Sequence, residues 1–292
     1  MNILIMMMAM SLAGSSIAVT KSLTDSMPVF LANELSLLIA WLALLPAGVK
    51  HFRQFQRDRR GSAYWQTLRW PALQALFGMA LFRVLTFFGL RHISAIEGAL
   101  LTATTPAVMA MLAFALLGEI PRPRRTVGIG LAVIGVMALN WQSGATFSTL
   151  PGYILMLMAT ACESLLTIFR RMEKVPIPPA ANTFYIVSFS MVFLLPAAIF
   201  ENRWQTLLQL NLSQWSGCIY LGMVATAVAY LCWGYASTRI DANMTGIITA
   251  MMPFSATVIS IVWLKEILLG QHILGGICIV ASILVNVRTK KL

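Results

Sequence analysis

"TPAVMAMLAFALLGE", Thr105 to Glu119, sets a proline at the head of an apolar run and a glutamate thirteen residues after it. "MPFSATVISIVWLKE", Met252 to Glu266, keeps the same spacing 147 positions downstream. The match extends beyond both phrases. Sliding residues 81–139 by 147 lays them on 228–286 without a gap. Identities include Ile93/Ile240, Ala95/Ala242, Thr102/Thr249, Ala103/Ala250, Pro106/Pro253, Leu117/Leu264, Glu119/Glu266, Ile120/Ile267 and Gly128/Gly275. "LLPA" also recurs, at 44–47 and 194–197. The chain reads as one unit written twice.

The composition says where such a unit lives. Of 292 residues, 59% are hydrophobic and 11% charged, and the mean hydropathy is +0.79. A soluble domain carries roughly 25% charged residues, so this chain reads as a polytopic membrane protein. The net charge of +11 would suit nucleic acid, but the charges fall in short clusters between apolar runs, as loops of a membrane protein do. No nucleic-acid partner is expected; the lipid bilayer is. Residues 1–19 have no basic leader and precede many equally apolar segments, so they read as a first span rather than a cleaved signal. Cys162, Cys218, Cys232 and Cys278 all lie in apolar segments and read as small hydrophobic filler, not as a disulfide or zinc framework.

Breaking the chain at charge clusters and Pro/Gly turns gives ten spans: 2–20, 28–49, 70–90, 95–117, 125–141, 151–170, 178–200, 214–236, 242–264 and 270–287. In lipid such segments are helices, since every amide must be paired internally. With the N-terminus inside, sixteen Lys and Arg fall in inner loops and the tail, against Lys21, Arg91, Arg203 and Lys265 outside. That bias puts both termini in the cytoplasm. Each unit then holds five helices, residues 1–141 and 151–292, joined by an external linker at 142–150. Five is odd, so the second unit enters from the opposite side. The expected fold is an all-α membrane protein of ten transmembrane helices in two inverted five-helix repeats. Inverted repeats are an architecture of secondary transporters, with the substrate site at the midplane between the halves.

Two repeats with a mid-helix proline and a "GE" or "KE" closing the fourth helix resemble the EamA-type family of the drug/metabolite transporter superfamily. "AGSSIAVTK", Ala13 to Lys21, resembles that family's first-helix pattern of Trp-Gly, a small polar pair and a Lys eight residues after the Trp. Gly14 and Lys21 match, and Ala13 stands in place of the Trp. The resemblance covers nearly the whole chain and implies export of small amphipathic metabolites, with amino acids or their derivatives as the default. It implies a small-molecule substrate, no cofactor, and a monomer or homodimer in a bacterial inner membrane. One departure is Glu34, where the family usually has an arginine near the start of the second helix. The third helix carries Arg83. Glu34 and Arg83 both lie about 10 Å deep from the outer surface at 1.5 Å per residue, so an ion pair facing the cavity is expected. It would act as a clamp or as a contact for a zwitterionic substrate.

Glu163 sits twelve positions into the sixth span, near the bilayer centre, with no basic residue nearby in sequence. It corresponds to Gly14 of the first repeat, which Ser15 follows. A carboxyl so placed is a candidate for proton coupling or for a substrate amine; its bland alternative is a packing hydrogen bond. Pro106 and Pro253 would each free a carbonyl in mid-helix, with Thr102, Thr104, Thr105, Thr249 and Ser255 offering hydroxyls. Phe87, Tyr230 and Trp233 are candidate cavity aromatics, though such stripes are often plain packing. Gly128, Ala132 and Gly135, mirrored by Gly275 and Ser282, read as a close helix contact. Glu97 reads as interfacial, Glu119 and Glu266 as helix closers, Lys21 as a gate or a snorkelling lysine. The basic 50–69 loop with Trp65 suits lipid headgroups.

No G-x-x-x-x-G-K-[ST], H-E-x-x-H or G-x-S-x-G pattern occurs, and His51, His92 and His272 fall in loops or at helix edges. An enzyme is not expected. The rivals are a drug or metabolite carrier, or an uptake system, of the same fold, and a non-transporting membrane enzyme or lipid-handling subunit.

Overall fold

A computed structural model describes the whole chain except residues 59–61, 119–122, 141–148, 174–176, 238, 241–243, 245–247, 250 and 288–292. The described residues are helical, with no strand among them. In chain order the α-helices are α1 (Asn2–Thr24), α2 (Val29–Asp58), α3 (Ser62–Ala75), α4 (Phe82–Leu90), α5 (Ala95–Thr102), α6 (Thr105–Leu117), α7 (Pro123–Asn140), α8 (Leu150–Met172), α9 (Pro179–Glu201), α10 (Leu212–Ile219), α11 (Ala229–Ser237), α12 (Met251–Val262) and α13 (Gly270–Val287). Six helical stretches are long and apolar enough to cross a membrane, or seven if the bent pair α5–α6 is one span. Large side chains such as Phe200, Phe254, Val262 and Met137 face outward. Their exposure suits a surface solvated by lipid rather than water. Glu119, residues 142–148 of the linker and most of 242–250 lie outside the described residues.

Two joins are π-helical. Leu76–Leu81 carries α3 into α4, and Tyr220–Val228 carries α10 into α11. A π-turn widens the helix and re-aims the side chains that follow it. Each widened segment presses a glycine against a neighbour. A Cβ on Gly78 would overlap the Leu166 side chain on α8, and one on Gly222 would overlap the Ser36 carbonyl on α2.

The expected mid-helix kink at Pro106 takes another form. α5 stops at Thr102, Pro106 stands in the first turn of α6, and the two helices meet at 41°. Proline has no N–H to lose there, because first-turn amides have no intrahelical acceptor. Pro253 is the third residue of α12, again near a helix start, and is buried. The "LLPA" prolines, Pro46 and Pro196, are interior to α2 and α9, which pack along each other. The 50–69 stretch, read as a loop, is helical through Asp58 and again from Ser62; the Trp65 side chain lies outside the described residues.

α1 packs on α11 and α12, α8 on α4 and α6, and α7 on α13. One buried cluster joins Ile17, Leu90, Ile96, Leu101, Met156, Ala256 and Ile279 across six helices. A second joins Leu37, Leu44, Met79, Val187 and Ala227. The α7–α13 seam follows the small-residue stripe. A Cβ on Gly135 would stand 2.7 Å from Ile279 Cγ1, one on Gly275 would stand 2.9 Å from the Gly135 carbonyl, and Ser282 Oγ donates to the Gly128 carbonyl at 2.6 Å. Without a hydrophobic drive between helices in lipid, such close approach and hydrogen bonding hold them together.

Candidate functional site

A cavity of about 90 Å³, room for several waters, lies where α1, α2, α4, α8, α11, α12 and both π-helical segments converge. Its wall carries Arg83, Phe87, Glu163 and Tyr230 of the expected residues, with Thr86, Asn33, Thr226 and Met252 beside them. Apolar side chains such as Ile17, Met79 and Leu221 complete it.

Arg83 is the positive group of the wall. One guanidinium nitrogen donates to Ser36 Oγ at 2.9 Å and the other terminal nitrogen donates to Thr226 Oγ1. Both hydroxyls are set to accept. Ser36 donates its own proton to the Asn33 carbonyl at 2.9 Å, and Thr226 donates to the Leu221 carbonyl, five residues back in the π-helical segment, at 2.6 Å. The π-turn thus orients Thr226 for the arginine.

Among the described residues Arg83 makes no ion pair with Glu34, which corrects the sequence expectation. The depth estimate places α2 and Arg83 at one level, but Ser36, not Glu34, faces the arginine. Two residues apart on a helix is about 200° of rotation, so a partner right in depth is wrong in azimuth. Glu34 is buried off the cavity wall, and among the described residues its Oε1 has no hydrogen-bond partner.

Glu163 is the acidic group of the wall. Its carboxylate accepts from Thr105 Oγ1 at 3.0 Å, and Thr105 also reaches the Thr102 carbonyl at 2.5 Å. Ser164, next to it, turns inward and donates to the Thr160 carbonyl. The α5–α6 break therefore delivers a hydroxyl to the carboxylate by starting a helix at Thr105 rather than kinking one. Tyr230 lies within electrostatic reach of both Arg83 and Glu163. It stands at the position 147 residues beyond Arg83.

The other expected residues serve elsewhere. A Cβ on Gly14 would overlap the Met252 carbonyl and Ser255 Oγ, so Gly14 is the close-approach point of α1 on α12. Ser15 Oγ meets Tyr220 Oη at 2.6 Å. Thr102 Oγ1 donates to the Ala99 carbonyl inside the core. Trp233 packs against the cluster of Met6, Met10, Ala236 and Ile248. Pro106 and Pro253 set helix starts rather than the cavity wall, and the Thr249 carbonyl accepts from the Met252 amide. Sequence reasoning missed Ser36 and Thr226; their only sequence signal is a hydroxyl at the level of Arg83.

At the bundle end shared by the α4 C-terminus and the α5 N-terminus, Lys21 Nζ donates to the Leu90 carbonyl at 2.5 Å, a cation on a helix C-terminus. Glu266 accepts from the amides of Ala95 and Ile96 at 2.8 and 3.0 Å, an anion on a helix N-terminus. Glu97, expected at an interface, is buried: it completes a capping box with Ser94 and accepts from Tyr153 Oη at 2.5 Å. At the opposite end Glu173 accepts from Gln74 Nε2 at 2.5 Å and faces Arg170 at 3.6 Å, while Asn182 Nδ2 donates to Gln74. Burial pushes the Glu173 carboxyl up from its ordinary value, and the Gln74 bond and Arg170 hold it back. Among the described residues no cluster suits a metal ion.

The model of the EamA-like transporter family matches residues 1–141 and again 150–288. YetK, an uncharacterized transporter of Bacillus subtilis (strain 168), is 30% identical over 97% of this chain and 86% of its own length. A probable terminal-alkyne amino-acid exporter of Streptantibioticus cattleyicolor is 25% identical over 75% of this chain and 73% of its own. The biotin transporter of Escherichia coli (strain K12) is 26% identical over 88% of this chain and 86% of its own. With apolar helices able to span a bilayer, a cavity walled by several of them, and a family match over both halves of its length, the chain is a multi-pass membrane protein that belongs to the EamA-like transporter family.

Proposed function

We propose that this chain is a secondary transporter of the bacterial cytoplasmic membrane, exporting small amphipathic metabolites, amino acids or their derivatives, by alternating access. The observation that carries the reading is the central cavity, in which the carboxylate of Glu163 stands in a largely apolar wall built from both halves of the chain. A carrier needs such a site, placed where two rigid bodies can open it to either side.

The inverted-repeat reading draws support from packing. α1 meets α11 and α12 as α8 meets α4 and α6, while α2 pairs with α9 and α7 with α13. Offset by 147, Leu76–Leu81 falls within the second π-helical segment. Taking α5–α6 as one span and adding the three shorter apolar helices brings the count of spans to ten. The lysine and arginine bias supports both termini in the cytoplasm. The amino-acid default draws support from the exporter named among the relatives. A second reading, carriage or uptake of another metabolite on the same fold, is favoured by the relative named as a biotin transporter.

The test is flux. Purified protein in liposomes loaded with a mixed amino-acid pool is followed for efflux with and without a pH gradient, beside Glu163→Gln. Efflux by the wild type that fails in the variant places Glu163 in the cycle. Loss of only the pH dependence makes it the proton site. Absence of flux for every amino acid sinks the amino-acid default.

A further inference from the structure

Arg83 and Glu163 line the same cavity, both are partly accessible from it, and neither is neutralised by the other or by any third ionised group: among the described residues neither makes an ion pair. Each is instead held by hydroxyls. Ser36 and Thr226 occupy two of the five N–H donors of Arg83, and no described residue takes the others. Thr105 takes one oxygen of Glu163. A hydroxyl orients a charged group without cancelling its charge. A basic and an acidic side chain without an ionised partner are costly to keep charged in a low-dielectric wall, and a solute supplying both countercharges favours their charged forms.

We propose that the cavity is a zwitterion site, with Arg83 binding the carboxylate of the solute and Glu163 its ammonium group, so that the substrate class is the free α-amino acid rather than an amine, an acid or a blocked derivative. The inference rests on the amino-acid reading above and adds to it a polarity and a pair of residues. Arginine suits the role because its planar fork meets a carboxylate with two parallel hydrogen bonds. The Ser36–Arg83–Thr226 arrangement fixes that fork before the solute arrives. Tyr230, within electrostatic reach of both groups, belongs to the same wall. Phe87 and Met79 give the side chain of the solute an apolar surface.

The experiment uses the full chain in detergent. Thermal unfolding is followed with each of the twenty common amino acids, its N-acetyl form, which has no ammonium, and its methyl ester, which has no carboxylate. At least one free amino acid is expected to stabilise the wild type, with both blocked forms weaker by roughly tenfold or more, since each leaves a buried charge unpaired. In Arg83→Gln the ester should match the free amino acid, and in Glu163→Gln the N-acetyl form should. Arg83→Lys, which keeps the charge, should retain discrimination against the ester and reports on folding. A blocked form as good as its parent in the wild type overturns the zwitterion site while leaving amino-acid flux in liposomes untouched. Absence of stabilisation by every free amino acid, with no liposome flux, overturns both.

Discussion

The hydroxyl of Thr105 lies 3.0 Å from a carboxylate oxygen of Glu163 and 2.5 Å from the carbonyl of Thr102. It has one proton for two acceptors. The break between α5 and α6 is thus tied to the carboxylate on α8 by a bond that either the helix end or the glutamate can claim. Motion of α6 against α8 is expected to exchange the two.

Thr105→Val removes this proton at nearly constant volume. A hydrogen bond is worth about 0.5–1.5 kcal/mol net, so flux in liposomes should fall between about twofold and tenfold. Thr105→Ser should restore it. Equal flux in all three proteins would detach Thr105 from the cycle.

Gly14 is where α1 and α12 touch. A Cβ there meets the backbone of Met252, which has no rotamer to yield. Gly14→Ala should lower stability by about 1–3 kcal/mol, the usual range for overpacking. Gly130 of α7 has open space around its missing Cβ. Gly130→Ala should raise stability by up to about 1 kcal/mol through helix propensity. Thermal unfolding of the two variants in detergent separates crowding from propensity.

Glu266 holds the first amides of α5 with both carboxylate oxygens. Glu266→Ala should cost about 0.5–2 kcal/mol, the range for a lost cap. Glu266→Gln should lose less, keeping an acceptor but not the charge. Ser94 and Glu97 still cap the helix in both, so unfolding temperature is expected to move without loss of the fold.

Glu173 lies beyond the α8 span, and burial pushes its carboxyl up from the ordinary value. The folded protein therefore favours the protonated form. Its contribution is unfavourable once the group ionises, so the penalty is absent below the ordinary carboxylate range and grows as pH rises through it. Glu173→Gln keeps an acceptor for Gln74 and removes the charge. Its unfolding temperature should match wild type at low pH and exceed it increasingly toward neutrality. A wild type more stable than the variant at neutral pH would mean that Arg170, 3.6 Å away, outweighs burial.

Nearly every helix was legible in the chain because lipid leaves apolar segments one way to pair their amides. The expected 28–49, 151–170, 178–200 and 270–287 became α2, α8, α9 and α13 with ends moved by a few residues, apart from α2, which runs on to Asp58. Of the candidate site, Glu163 and Arg83 were legible, since charge in an apolar run is expensive and is retained for a reason; Phe87 and Tyr230 were named only as aromatics, a weaker signal. Ser36 and Thr226 were not. A serine or threonine is cheap in any helix, so its presence carries no signal until a partner is known.

By itself the sequence determined that the chain is helical and apolar enough for a bilayer, how far along its apolar segment each charge sits, and that its pattern recurs 147 residues on. Those are properties of composition and of distance along the chain, and a helix fixes 1.5 Å of depth per residue. Only the tertiary structure decided which way each charge points. It turned Arg83 to Ser36 and Thr226 instead of Glu34, joined Thr105 to Glu163, and made Pro106 and Pro253 begin helices. Azimuth depends on how neighbouring helices rotate and where π-turns re-aim them, through contacts between residues far apart in the chain.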